Sequence, residues 1–407
     1  MGVRAGRRAS RAARWAAGAV VALVVAACSG GGSGKGDQGG RPPAGSTAPG
    51  AGGSRAPSGP VSLTVRPGKD VTSVAPGDPV EVTVANGTIG SVKLAGDDGE
   101  VRGTLDAAKT TWKSVGQLSF GTRYTVTAEA TDAGGGETST TSAFTTARAA
   151  KQVFPSVSPL RGTTVGVGLP IRVYFDAPVS DRKAALDRMK VTTSVPTNGA
   201  WRWFSATEVH WRPKVYWRPG TKVALDTDLY GVKLGPGTYG GDKADRHIEF
   251  TIGRSHVSVA DARTHQMKVY VDGKLARMLP VSMGKEVKGR YTKSGPHVVT
   301  DKNRVKVMDS TTYGLALDAG GYRTTVDFAT RISNSGEFVH SAPWSVAQQG
   351  RENVSHGCIN LSPANAAWFF GLAQLGDVVE VRGTPVRLSG RDTDVPDWTI
   401  PWDQWGE

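Results

Sequence analysis

Tyr124-Thr125-Val126-Thr127-Ala128 sets an apolar side chain at every second position, the period of a strand with one buried and one wet face. The same period marks Val61, Leu63 and Val65, and again Val80, Val82 and Val84. Turn formers separate such runs, among them Pro76-Gly77-Asp78 and Asp97-Asp98-Gly99. Short alternating strands with no helical period between them predict a β-sandwich over 61–148. After a pause at Ala147–Gln152 the alternation resumes at Ile171, Val173 and Phe175 and runs on to Ile248, Phe250 and Ile252. It predicts a second sandwich over 149–252. The tryptophans from Trp201 to Trp217 suit either glycan stacking or a core, and their alternation favours the core.

A third unit, 253–383, opens with strand-like Gln266–Val271 and Lys274–Val281, joined by the hairpin signal Asp272-Gly273. Further strands are expected at Val305–Met308 and Glu337–Ser341. One helix stands out: Ser362 as N-cap, Pro363 in the first turn, then Ala364 to Leu375, stopped by Gly376. The fold class is therefore mainly β, two sandwiches followed by a β-rich domain with one main helix. Residues 384–407, rich in tryptophan from Trp398 to Trp405, are expected to pack back on a domain as a tail.

The N-terminus reads as a targeting segment over 1–27. Arg4, Arg7, Arg8, Arg11 and Arg14 form a basic region without acids, and Trp15 to Ala27 is a short apolar run. It ends Val25-Ala26-Ala27-Cys28, which resembles the lipobox of bacterial lipoproteins, so Cys28 is expected to carry lipid; an ordinary cleaved secretion signal is the alternative. Residues 28–60 are Gly-, Ser-, Pro- and Ala-rich and read as a flexible tether with an average span of roughly 30 Å. The expected location is the extracytoplasmic face of the cell membrane, with the protein working in the wall. No uninterrupted run of eighteen apolar residues excludes a multi-span membrane protein. The formal charge is +13, or +8 once the five leader arginines are removed. It is spread thinly and accompanies no nucleic-acid motif, so no nucleic-acid partner is expected.

Of the two cysteines, Cys28 lies at the lipobox, which leaves Cys358 unpaired in an exported protein. A buried, inert thiol is the plain reading. Its setting, Ser355-His356-Gly357-Cys358-Ile359-Asn360, supports a nucleophile instead. A thiol at its ordinary pKa needs a base or cation within reach. No histidine follows Cys358, so the candidates are His340 and His356. That order excludes papain-like and NlpC/P60-type peptidases, whose histidine follows the cysteine, and the sortase Thr-Leu-x-Thr-Cys signature is absent. A zinc site from His340, His356 and Cys358 lacks a second cysteine or paired motif to complete it, so neither metal nor cofactor is expected. Gly357 would let the backbone approach a substrate carbonyl, with nearby N–H groups facing a developing oxyanion.

His340-Ser341-Ala342-Pro343-Trp344, followed eighteen residues after His340 by Cys358 in its motif, resembles the signature of the L,D-transpeptidases, the YkuD family. Met308-Asp309-Ser310, Tyr313-Gly314 and Gly321-Tyr322-Arg323 resemble its actinobacterial members, as does a lipobox followed by two immunoglobulin-like domains and a catalytic domain. The resemblance implies that Cys358 attacks the carbonyl between meso-diaminopimelate and D-Ala in a tetrapeptide stem of peptidoglycan. His340 would take the thiol proton, and the Ser341 carbonyl would orient it. His356, Gly357 and Cys358 would stabilise the oxyanion, with the Tyr322 hydroxyl nearby. Tyr322, Ser335, Gly336 and Asn360 would line the substrate cleft, and Met308, Tyr313 and Trp344 a lid and its pocket. Donor and acceptor stem peptides are the implied partners, carbapenem β-lactams the implied covalent inhibitors. Hydrolysis in place of transpeptidation, and a non-catalytic wall-binding role, are the alternatives.

Overall fold

The computed structural model describes residues 59–406. Cys28, the leader and almost all of the tether lie outside the described residues.

The alternation around Val126 produces two four-stranded sheets over residues 62–145. Their inward faces meet in one core, with Val82, Leu94, Trp112, Val126 and Phe144. A second pair of four-stranded sheets follows, one centred on Ile171–Phe175 and Glu208–Pro213, the other on Lys222–Thr227 and Arg246–Ile252. Trp203, Trp211 and Trp217 lie buried in the core between them, as the core reading expects. The six-residue helix Arg182–Asp187, capped by Asp181 accepting from the Ala184 N–H, is an addition the sequence pattern does not reveal. At six residues it is too short to display a helical period.

The third unit holds two sheets. The first is five-stranded, in the order Lys274–Pro280, Gln266–Val271, His256–Asp261, Val378–Arg382, Gly295–Val298. Its first hairpin turns through Asp272 and Gly273 at φ 49° and 76°, the two positive φ values of a type I′ turn. The second sheet is four-stranded, in the order Asp301–Asp309, Arg323–Arg331, Phe338–Ser341, Ile359–Leu361. Helix Pro363–Leu372 starts where expected, with Ser362 accepting from the Asn365 N–H. It ends three residues before the expected Leu375, because Ala373 is already extended at ψ 141°. Gly376, at φ 92°, is the point where this loop presses on Gly166: a Cβ on Gly166 would lie 2.3 Å from the Gly376 carbonyl carbon. Gly166 and Gly168 donate to the carbonyls of Leu375 and Gly376, both at 2.7 Å. Val298 and Val378 of the five-stranded sheet belong to the same apolar core as the second sandwich.

The chain's end packs on that sandwich too. Trp398, Trp402 and Trp405 surround the buried Arg212 guanidinium at 4.7, 5.2 and 4.4 Å from their ring centroids. Trp405 Nε1 donates to the Ala200 carbonyl at 2.9 Å, and Trp398 Nε1 to that of Gly168 at 2.6 Å.

Candidate active site

Two strands carry the candidate catalytic residues. Phe338–Ser341 and Ile359–Leu361 run parallel, with Val339 opposite Ile359, His340 opposite Asn360 and Ser341 opposite Leu361. Side chains alternate along a strand, so Val339, Ile359 and Leu361 face the helix and its core, while His340 and Asn360 face the other way. Cys358 stands just before its strand, two residues from Asn360, and shares that outward face. The face floors a cavity of about 450 Å³ whose lining includes Met308, Tyr322, His340, Trp344, Cys358 and Asn360. With His356, which also lines it, seven of the expected site residues thus meet in one hollow. Asn360 is fixed there by its side-chain donation to Ser345 Oγ at 3.1 Å and by backbone pairing with Ser282.

His340 is 4% exposed. Its Nδ1 lies 2.8 Å from the Ser341 carbonyl, as the resemblance implies. A carbonyl can only accept, so Nδ1 carries the proton and the other ring nitrogen, Nε2, keeps a lone pair. Burial pulls the imidazole's pKa down to about 4, against the opposing hydrogen bond to Ser341. The ring rests neutral, in the form a general base requires.

Cys358 is 5% exposed and packs with Met308, Val326, Ala329 and Phe338. Its Sγ–H donates to the Gly336 carbonyl at 3.6 Å. Burial pushes the thiol up to about 12, outweighing the Phe338 N–H that would favour the thiolate. The resting pair is therefore a thiol and a neutral imidazole, not an ion pair.

Several expected residues sit differently. Ser335 does not point into the cleft. Its hydroxyl accepts from Lys293 Nζ at 2.7 Å and donates to Glu337 Oε2 at 3.2 Å, within a polar network behind the site. Gly336 lines a second, smaller hollow of about 220 Å³ with Lys306, Asp309 and Arg331, beside Met308 and Tyr322, which border both hollows. The Gly357 N–H, expected at an oxyanion, is held by Ser355 Oγ at 3.1 Å. Glycine is required there by its φ of 130°, a region closed to other residues, and a Cβ would point toward Glu337 and Tyr291 without a clash. His356 stacks obliquely on Tyr322, with centroids 4.9 Å apart, and its Nε2 lies 3.2 Å from the Gly320 carbonyl. Trp344 stands 59% exposed on the rim, its ring 6.1 Å from that of His340. Tyr313 ends the 3-10 turn Ser310–Tyr313, and its side chain lies outside the described ones.

Residues 255–381 match a family model described as the L,D-transpeptidase catalytic domain, and residues 71–233 one described as a bacterial Ig domain. The chain is 43% identical over 330 residues to L,D-transpeptidase 2 of Mycobacterium tuberculosis, spanning 80% of this chain and 79% of that protein. It is 35% identical over 350 residues to L,D-transpeptidase 5 of the same species, spanning 84% and 76%. A solved L,D-transpeptidase in complex with imipenem is 39% identical, covering 57% of this chain and 99% of that one with a TM-score of 0.49. With its immunoglobulin-like region, its mainly β catalytic unit and relatives that match it over most of their length, this chain belongs to the L,D-transpeptidase family and is an acyltransferase.

Proposed function

We propose that the chain makes 3→3 cross-links in peptidoglycan through a thioester on Cys358. The observation that carries this reading is the neutral His340, its Nε2 lone pair available, sharing one cavity with Cys358. The Cys358 proton passes to His340 Nε2 as sulfur bonds to the carbonyl between diaminopimelate and D-Ala, and the carbonyl oxygen takes up the charge. When that oxygen's electrons fall back, the C–N bond breaks and His340 returns the proton to the departing D-Ala amine. The side-chain amine of a second stem then attacks the thioester and gives its proton to His340; as the C–S bond breaks, His340 passes that proton to the departing Cys358 sulfur and the resting pair is restored.

The cavity suits this division of labour. Met308, Trp344 and Val326 make much of its lining apolar, which limits water around the thioester, while Asn360 and Tyr322 offer polar contacts to a peptide. A strained β-lactam carbonyl would acylate the same sulfur by the same steps. Lipid on Cys28 would hold the enzyme at the outer face of the cell membrane, within reach of the wall.

Incubation of the protein with a disaccharide-tetrapeptide muropeptide, followed by mass analysis, tests the reading. Free D-Ala together with a 3→3 dimer is the expected result. Tripeptide without dimer would mean that water ends the thioester and that the enzyme is an L,D-carboxypeptidase. Unchanged muropeptide, with no carbapenem adduct on Cys358, would leave a wall-binding protein.

A further inference from the structure

The turn before Cys358 is held by two hydroxyls, and only one of them belongs to the cysteine motif. Ser355 Oγ accepts from the Gly357 N–H and donates to the Cys358 carbonyl at 2.6 Å. The other is Thr292, fully buried on a separate loop. Its Oγ1 accepts from the Gly284 N–H at 2.8 Å, so its own proton is committed to the Gly357 carbonyl, 2.7 Å away. Gly284 is built for this approach: a Cβ there would lie 2.4 Å from the Thr292 nitrogen and 2.1 Å from the Arg290 carbonyl oxygen. Gly284 also bridges Ser355, which ties the loop to the motif directly.

The consequence follows from peptide geometry. The Gly357–Cys358 bond is trans, since the cis bonds among the described residues are Arg66–Pro67 and Ser158–Pro159. In a trans peptide the C=O and N–H of one plane point in opposite directions. Fixing the Gly357 oxygen on Thr292 therefore fixes the Cys358 N–H in the opposite sense, away from Thr292. Ser355 already takes the Gly357 N–H, so the amide of Cys358 is the donor of this turn whose direction an outside residue sets.

We infer that Thr292 is a positioning residue for acyl transfer, its hydroxyl aiming the Cys358 N–H at the oxygen that takes up charge when the thiol adds. The inference rests on the reading of Cys358 as nucleophile, and the two fail differently. Removing one oxyanion donor typically costs 10²–10³ in rate. A donor left in place but released from its anchor should cost about 10- to 100-fold.

The test compares two reactions of the same sulfur in the full chain: acylation by a carbapenem, which develops charge on an oxygen, and alkylation by iodoacetamide, which does not. In Thr292→Val and Thr292→Ala, acylation should fall about 10- to 100-fold while alkylation changes less than about twofold. Thr292→Ser, which keeps the hydroxyl, should restore acylation to within about threefold of the original. Equal losses in both reactions, no loss in acylation, or failure of the serine variant to restore it would overturn the inference. If neither the valine nor the alanine variant folds, Thr292 serves stability and the inference falls. If the unaltered protein forms no carbapenem adduct on Cys358, the nucleophile reading falls instead.

Discussion

His340 and His210 are both buried, one in the cavity beside Cys358 and the other where the chain's end packs on the second sandwich. They are driven to opposite states. Around His340 burial dominates and one carbonyl is the partner, so the ring loses its charge. Burial pulls His210 down as well, but Asp397 Oδ2 at 3.0 Å and Glu208 Oε1 at 2.8 Å more than offset it, and its pKa is raised. The same side chain is thus a proton acceptor in waiting at one centre and is pushed toward holding its proton at the other. Depth is common to both; what differs is whether carboxylates line the pocket.

The sharpest break of this contrast is chemical. His340→Gln removes the acceptor at the cavity and should slow carbapenem acylation of Cys358 by about 10²–10⁴-fold. Far-UV circular dichroism and melting temperature should stay near those of the parent, and a loss of less than tenfold would deny His340 the role of base. At the other centre the opposite profile is expected. Trp405→Ala removes a buried ring from the Arg212 cage and should cost about 3–5 kcal/mol in denaturant unfolding. Acylation, measured where the variant is still folded, should change less than about twofold, because the cage lies outside the cavity.

The pH dependence sharpens the comparison further. For His340 the folded pKa of about 4 lies below the unfolded 6.5, so the unfolded chain binds more protons in that window. Its contribution to stability is present above pH 6.5 and is lost as pH falls toward 4. His210 has the reverse sign: its contribution is present below its unfolded pKa and is lost as pH rises through the raised folded value. Melting curves should therefore show an alkaline decline that His210→Gln reduces and His340→Gln leaves in place. The acylation rate should hold level from neutrality down to an acid limb near pH 4, set by His340. An acid limb above pH 6 would place the proton acceptor elsewhere. The smallest effect belongs to Trp344, exposed on the rim, where alanine should alter stability by less than about 0.5 kcal/mol and raise KM for stem peptide a few-fold.

What the sequence reveals follows the length of the pattern each element needs. The sandwiches show in Tyr124, Val126 and Ala128 because alternation is a local signal repeated many times. His340 and Cys358 show because the residues between Phe338 and Ser341 and between Ser355 and Asn360 are constrained one by one. Ser335 misleads: serine beside glycine suggests a cleft, but its direction is set by Lys293, some forty positions away. Gly357 is singled out for closeness to a substrate carbonyl, whereas the structure's reason for a glycine there is a φ of 130°. Thr292 carries no local pattern at all. A threonine in a loop gains its meaning only when the fold brings Gly284 and Gly357 to either side of it.

One feature of the resting site bears on durability. Thiols are oxidised by peroxide through the thiolate, so a sulfur's vulnerability follows its charge and its exposure. Cys358 has neither: its proton stays on sulfur, pointed at the Gly336 carbonyl, and little of its surface meets solvent. Had the pair rested as thiolate and imidazolium, it would be quicker to react and quicker to corrode. Keeping the proton in place until a substrate fills the hollow sets reaction speed against service life, and lets a lone sulfur wait without a reductant to repair it.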